Sequence, residues 1–258
     1  MHELYHYSGL THARHCRILM YISKNRFDFA LGVFVCYNHH MIKNIFFKLS
    51  IALFFLLWTP VMFICLVTSR SAYWSLWFGA VVILWIGRRF GIDYKLHGTP
   101  LNGVIVASKH MSIMDTAILG LAYKRVFFII KRELMWIPIY GWTFWRMGFI
   151  PVNRKRGATD MRDLAMRAAK KIREGRTMII FPEGTRVKPG AGISLRRGLL
   201  FIAAEANIPI QPVGLDTGLY WPKRGRMHPG TANAYFMPML PADASLDEVA
   251  KAIAAHSA

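Results

Sequence analysis

A histidine and an aspartate, five positions apart, are the first candidates for chemistry in this sequence. They lie within residues 108–116, SKHMSIMDT, as His110 and Asp115. Side chains that share one face of a helix recur every three or four positions, so this spacing does not suit a regular helical face. Two interpretations stay open here: a capped helix start with an unrelated histidine, or a catalytic pair that a turn brings together.

The neighbouring residues predict how such a turn could form. Ser112, followed three positions later by Asp115, is typical of a capping box in which Ser112 is the helix N-cap. His110 would then lie in the turn before the helix, where its imidazole can fold back toward Asp115. A carboxylate in that place holds one ring nitrogen protonated and leaves the other free to accept a proton. Such a pair can deprotonate a hydroxyl group that the substrate supplies.

A second candidate site follows a buried apolar run, in the hexapeptide FPEGTR at residues 181–186. Gly184 allows backbone N–H groups to approach an anion, and Arg186 can bind a phosphate through two parallel hydrogen bonds. Glu183 could orient Arg186 or meet a substrate hydroxyl. The alternative interpretation is a strand-ending turn with a surface ion pair.

Two further stretches have the same position after an apolar run. Residues 148–154, GFIPVNR, end on Arg154, which could bind phosphate as well or belong to a solvated basic loop. Residues 208–213, IPIQPV, carry no reactive group and are interpreted as a strand that lines the site.

The elements that must position these residues alternate between strand and helix patterns from about residue 92. Apolar runs predict four buried strands, at residues 103–108, 126–130, 177–181 and 208–213. The pattern at residues 159–174 predicts an amphipathic helix. This alternation predicts an α/β domain over residues 91–258, with a mostly parallel sheet flanked by helices. Ligands of such sheets bind beyond the carboxyl ends of the strands, where the candidate residues fall.

An apolar region precedes this domain. Residues 49–67 carry no charge over nineteen positions, about the length that crosses the hydrocarbon core of a bilayer. A shorter apolar run follows at residues 73–87, and basic residues flank the two runs. The pattern predicts a two-helix membrane hairpin over residues 41–90, either fully spanning or re-entrant, with the catalytic domain on the cytoplasmic face. Buried helices of a soluble protein are the alternative. Residues 1–40 are predicted to be poorly ordered or an upstream extension.

The formal net charge of +19 indicates an anionic partner. Between residues 124 and 200 there are 18 Lys or Arg against 5 Asp or Glu. An anionic lipid surface and a nucleic acid both suit this charge. A nucleic-acid groove would interleave aromatic with basic side chains, whereas the tryptophans collect before Arg88 and around residues 136–145, so no nucleic-acid partner is expected. Cys16, Cys36 and Cys65 have neither disulfide nor metal spacing.

Taken in order, the four stretches resemble the motifs of the glycerolipid acyltransferase family, and best those of its 1-acyl-sn-glycerol-3-phosphate acyltransferases. FPEGTR is the specific part of the resemblance, the order and spacing of all four stretches support it, and it covers roughly residues 88–225. Two positions depart from the family pattern. Lys109 stands where the family often has asparagine, and residues 151–153 precede Arg154 as Pro-Val-Asn, where Ile-Asp is frequent.

The resemblance implies an enzyme of phospholipid biosynthesis. It would move a fatty acyl chain from a thioester, acyl-CoA or acyl carrier protein, to the sn-2 hydroxyl of lysophosphatidic acid and give phosphatidic acid. His110 would be the general base and Asp115 its partner. The residues implied in phosphate binding come from two loops: Arg154, Glu183, Gly184, Thr185 and Arg186.

Several alternatives remain open beside this implication. The acceptor could be glycerol 3-phosphate, another lysophospholipid or an amino-acid-derived lyso-lipid. Outside enzymes there are two alternatives: a membrane-tethered basic nucleic-acid-binding module, suggested only by the net charge, and a non-catalytic structural membrane protein with the same fold. No metal and no organic cofactor is expected, since the sequence has no HExxH, paired CxxC or P-loop pattern.

Overall fold

The computed structural model describes residues 26–68, 72–152 and 158–257, with side chains for 41–68, 73–152 and 161–257. These residues form two compact units that divide between Ile51 and Ala52. Of the segment predicted as disordered or an extension, residues 1–25 lie outside the described part. Helix α1, Arg26–Val67, begins within the remainder of that segment.

Helix α1 contains the most apolar long segment of the described chain. Its portion Met41–Val67 is long and apolar enough, by length and composition, to cross a membrane. Most of the large apolar side chains in this portion are exposed to the surroundings of the protein. The helix continues through Pro60.

Helix α2, Ala72–Arg89, forms at the second apolar run. It packs against the helix at residues 113–122 and against the first strand, and it buries Ile83, Leu84 and Ile86. Among the described helices, α1 alone has the length and composition of a membrane span. The predicted hairpin of two membrane helices is therefore not confirmed, because the second helix uses its apolar face for packing within the protein.

The described residues of the second unit contain one seven-stranded sheet. Its strands are β1 Ile92–His97, β2 Ile105–Ser108, β3 Val126–Lys131, β4 Ile150–Val152, β5 Thr177–Ile180, β6 Ile210–Leu215 and β7 Gly230–Phe236. The order across the sheet is β1-β7-β6-β2-β5-β3-β4, and every neighbouring pair is parallel except β6 with β7. The predicted α/β fold with a mostly parallel sheet is confirmed, and the antiparallel pair makes the sheet mixed.

Helices cover this sheet. They are α3 Ile113–Ala122, α4 Tyr140–Arg146, α5 Ala158–Arg173, α6 Gly198–Ala206 and α7 Leu246–Ala254, with 3-10 turns at Arg132–Trp136 and Thr217–Leu219. The core lies around β2, where Ile105, Val106 and Ala107 are fully buried. A strand covered on both faces has a continuous apolar sequence, which is why β2, β3, β5 and β6 were predictable and the more exposed strand β1 was not.

The position of β2 decides what its carboxyl end can meet. It lies between β5 and β6, and both pairs are parallel. The segments that follow the three strands therefore leave the same edge of the sheet. They are residues 109–112, the FPEGTR hexapeptide and the 3-10 turn Thr217–Leu219.

Candidate active site

The turn after β2 brings His110 and Asp115 together. Their Nδ1 and Oδ2 atoms lie 2.9 Å apart. Ser112 is the N-cap of α3, its hydroxyl accepts the Met114 amide, and Asp115 accepts the Ser112 amide at 2.8 Å. The two interpretations of the sequence are thus compatible, since one carboxylate closes the capping box and holds the histidine.

Asp115 is fully buried among hydrogen-bond donors. Besides the imidazole, its Oδ2 accepts the Met111 amide at 2.7 Å and the Ser112 amide, and its Oδ1 accepts the Thr217 hydroxyl. An ionised carboxylate only accepts, so it matches a neutral imidazole that carries its proton on Nδ1. That tautomer leaves Nε2 of His110 with a free lone pair.

The FPEGTR segment and Val187, which follows it directly, hold the ring and the backbone of His110 in place. The imidazole stacks on the Phe181 ring, with centroids 4.1 Å apart and planes inclined by 18°. The backbone N–H of His110 donates to Glu183 Oε2 at 3.1 Å, and the His110 carbonyl accepts the Val187 amide at 2.8 Å. The His110 side chain nevertheless keeps 19% of its surface exposed, so that the ring is held in place and remains reachable.

Two buried charged residues, Glu183 and Lys109, lie next to the His110–Asp115 pair, which we call the dyad. Glu183 Oε1 has no hydrogen-bond partner, and burial raises the pKa of this carboxyl. Lys109 Nζ donates to the Ala191 carbonyl at 2.8 Å, and burial lowers the pKa of its ammonium group. The sequence suggested that Glu183 could orient Arg186. The two described side chains form no ion pair, because the Glu183 carboxylate accepts the His110 amide instead.

The predicted anion-binding residues divide into two groups. Gly184, Thr185 and Arg186 line the same cavity as His110. Gly184 has φ +74°, a conformation that glycine adopts without strain, and its N–H donates to the Phe181 carbonyl at 2.9 Å. No hydrogen bond or ion pair joins the Arg186 side chain to another described residue. Arg154 lies outside the described residues, and its role stays a prediction.

The cavity beside His110 has a volume of about 740 Å³. This lies within the roughly 300–1,000 Å³ typical of small-molecule sites. Its walls come from α1, α2, α3, β3 and α4 and are largely apolar and aromatic, including Phe55, Trp58, Leu76, Ile83 and Phe144. The polar and charged side chains of the lining include Thr185, Lys124, Arg125, Lys131, Arg186 and Lys223. His110 and Arg186 thus line one cavity, and the apolar and aromatic part of its wall suits a hydrocarbon chain.

Sequence reasoning missed Thr217 and Lys223 and gave Phe181 no role. Thr217 lies two positions after the end of β6, and β6 is a direct neighbour of β2. Its position beyond the carboxyl end of a predicted strand was the available signal. Nothing in the sequence around Lys223 indicates that it reaches the cavity. Among the side chains that the structure describes, no group of three or more His, Cys, Asp or Glu is arranged to hold a metal ion.

Comparison with solved structures supports this description of the fold. A crystal structure of the 1-acyl-sn-glycerophosphate (LPA) acyltransferase PlsC from Thermotoga maritima superposes with a TM-score of 0.63. The match covers 84% of this chain and 93% of that chain, at 23% sequence identity. The two proteins therefore share a fold.

Sequence comparison extends the likeness to a family. Residues 94–216, which include the dyad and FPEGTR, match the family model described as Acyltransferase. The 1-acyl-sn-glycerol-3-phosphate acyltransferase of Pseudomonas aeruginosa is 30% identical over 165 residues, which are 62% of this chain and 64% of that protein. The human 1-acyl-sn-glycerol-3-phosphate acyltransferase alpha is 27% identical over 170 residues, 63% of this chain and 60% of the human protein. The family match thus covers just under half of this chain, and the chain spans about three fifths of the length of these two relatives.

Proposed function

We propose that the protein transfers a fatty acyl chain from a thioester to the sn-2 hydroxyl of lysophosphatidic acid and forms phosphatidic acid. One observation carries the proposal: a His110 ring held by buried Asp115 opens on an apolar cavity that Arg186 also lines. The names of the relatives from Pseudomonas aeruginosa and human support the choice of acceptor. Acyl-CoA and acyl carrier protein are both proposed as donors.

The dyad would supply the proton transfer. His110 Nε2 removes the proton of the acceptor hydroxyl while the oxygen attacks the thioester carbonyl carbon. Asp115 stabilises the imidazolium that forms. As the carbon–sulfur bond breaks, the imidazolium returns the proton to the leaving thiolate, and no acyl-enzyme intermediate is needed. Positioned general-base catalysis of this kind contributes about 10²–10⁴-fold in rate.

The substrate would be held by charge at one end and by apolar contact at the other. Arg186 would bind the glycerol phosphate, with Gly184 and Thr185 shaping that part of the site and Arg154 as a second phosphate ligand. Glu183 would contribute by holding the His110 amide. The acyl chain would occupy the apolar part of the cavity, between α2 and α3. No metal or organic cofactor takes part in these steps.

Both lipid substrates require access from a bilayer. We propose that the region 41–90 anchors the protein, with Met41–Val67 as the span, and that residues 91–258 form the acyltransferase domain on the cytoplasmic face. The basic excess of the catalytic region supports attraction to anionic headgroups, at about 1 kcal/mol for each Lys or Arg near the surface.

The test is an assay of purified protein against a panel of acceptors and donors, with product measured by mass. Lysophosphatidate with acyl-CoA or acyl carrier protein should give phosphatidic acid. The variant His110→Ala should lose this activity, whereas His228→Ala, at an exposed histidine outside the site, should keep it. Full activity of His110→Ala would remove the general base from the proposal. If only glycerol 3-phosphate or another lyso-lipid gives product, that compound would replace lysophosphatidic acid as the proposed acceptor.

A further inference from the structure

A short segment of the catalytic domain exposes an unusual set of aromatic and aliphatic side chains. We call it the α4 face and define it by five exposed residues of the 3-10 turn, its C-cap and α4: Leu134, Trp136, Ile137, Trp142 and Trp145. Trp136 is 76% exposed and Trp145 is 73% exposed. Single exposed apolar residues are ordinary on a soluble surface, whereas a concentration of large ones, such as these five within residues 134–145, marks an interaction site.

The backbone holds the α4 face in a tight and strained turn. Ile139 has φ +67° and ψ −52°, and the Tyr140 amide donates to the Pro138 carbonyl at 2.7 Å, which makes a γ-turn. A positive φ is a genuine outlier for a β-branched residue. A Cβ at Gly141 would lie 2.0 Å from the Met135 carbonyl oxygen, so only glycine fits there. The tryptophans are therefore exposed on a segment whose backbone conformation is well defined.

Contacts place the α4 face beside the apolar helix α1. The Tyr140 hydroxyl lies 3.1 Å from the Thr59 hydroxyl, and its ring packs on the Phe55 ring with centroids 6.1 Å apart. The Arg146 guanidinium donates to the Leu66 carbonyl at 2.8 Å. All three α1 residues belong to the portion that is long and apolar enough to cross a membrane. If that portion lies in a bilayer, α4 lies beside it.

Charge at the ends of the segment fits the same surroundings. Lys131 and Arg132 precede the tryptophans and Arg146 follows them, and all three are exposed, with Glu133 as an acidic residue in the segment. Tryptophans between basic residues are typical of a membrane interface, because the rings lie at headgroup level and the cations meet anionic lipid.

We infer that the α4 face is a second membrane-contact surface, which lies beside α1 in a bilayer containing anionic lipid. The inference rests on the membrane placement of α1 in the proposed function. It adds a consequence for substrate entry. Leu134, Tyr140 and Phe144 of the same segment line the cavity beside His110, so that one wall of the cavity is in contact with lipid.

The experiment measures the depth of single labels on the full-length chain. Cys16, Cys36 and Cys65 are replaced by alanine or serine, and one cysteine is introduced as Trp136→Cys, Trp145→Cys, Leu57→Cys or Met166→Cys. Each carries a fluorophore, and the protein is reconstituted in vesicles of phosphatidylcholine and phosphatidylglycerol. Quenching by a lipid-borne nitroxide is compared with quenching by a water-soluble nickel chelate. Met166, 57% exposed on α5, is the matched aqueous control, and Leu57 reports the α1 span.

The labels at 136 and 145 should show a several-fold higher ratio of lipid to aqueous quenching than the label at 166. A ratio equal to that of the control at both positions would overturn the inference. If the label at 57 is quenched from lipid in that case, the membrane span stands and only the α4 face is wrong. If it is not, the membrane placement in the proposed function fails as well.

Two other occupants give distinct results. Protection from the aqueous quencher that requires added acyl carrier protein would indicate a docking site for that protein. Protection that depends on protein density at constant lipid would indicate contact between copies of the chain. Either result would replace the lipid surface as the occupant.

Discussion

The hydroxyl of Thr217 donates to the buried carboxylate of Asp115 across 102 positions of sequence. Through this bond the segment after β6 stabilises the residue that orients His110, on the oxygen that the imidazole does not use. Thr217 thus supports the dyad without contacting the histidine. It is a positioning residue, and its removal leaves a buried carboxylate oxygen without its donor.

Thr217→Val keeps the shape of the side chain and removes the donor. Loss of a hydrogen bond to a buried group costs about 1–3 kcal/mol, and we expect kcat to fall between about 5-fold and 100-fold. Because Thr217 does not line the cavity, KM for the acceptor should stay nearly constant. Thr217→Ser retains the hydroxyl and should restore most of kcat. Equal rates for the valine and serine variants would show that the hydroxyl does not position the dyad.

Arg186→Lys keeps the positive charge and removes the planar donor pair. We expect KM for the phosphorylated acceptor to rise about tenfold with little change in kcat, because lysine cannot reproduce two parallel hydrogen bonds. The control is Arg197→Lys, at an exposed position downstream. A steady KM with a collapsed kcat would assign Arg186 to the chemical step in place of phosphate binding.

Glu183→Gln tests the buried carboxylate by its effect on stability. Burial raises the pKa of Glu183 above its ordinary value of 4.5. The folded protein therefore holds this proton more strongly than the unfolded chain does, and the free energy of unfolding falls as pH rises from 4.5 through the folded-state pKa. Glutamine still accepts the His110 amide and carries no charge. We expect Glu183→Gln to melt at a higher temperature than the unsubstituted protein at pH 7.5, with the difference shrinking as pH approaches 4.5.

Thermal melts in detergent across this pH range measure the effect. Glu174→Gln, at an exposed glutamate, is the matched control and should show no such trend. A difference that widens toward acid pH would mean that the ionised carboxylate stabilises the fold, contrary to the burial argument.

Gly120 on α3 offers a test of the apolar part of the cavity. It lines the cavity, and a Cβ at this position would meet nothing within 4 Å. Gly120→Leu should fill part of this space and shift the product toward shorter acyl chains. The fold should tolerate the change, because leucine favours a helix more than glycine does. Competition between long and short acyl donors, with products separated by mass, measures the shift. Gly120→Ala is the control with a small side chain. If Gly120→Leu leaves the distribution of product chain lengths unchanged, the acyl chain does not bind in this part of the cavity.

The sequence by itself determined the local parts of this protein. The capping box at Ser112, the turn that carries His110 and the buried strands β2, β3, β5 and β6 depend on residues within a few positions of one another, so the pattern of types and spacings was enough. Gly184 is another local feature, since the positive φ of the turn at this residue favours glycine there.

Only the tertiary structure decided what those parts meet. Thr217 reaches Asp115 because β6 pairs with β2, and Phe181 lies under the imidazole because β5 pairs with β2 on its other side. The order of strands in a sheet depends on burial summed over the whole domain, which no local pattern records. The same reason explains α2: its apolar residues predicted a membrane helix equally well, and only the face that it buries against α3 and β1 shows that it packs within the protein.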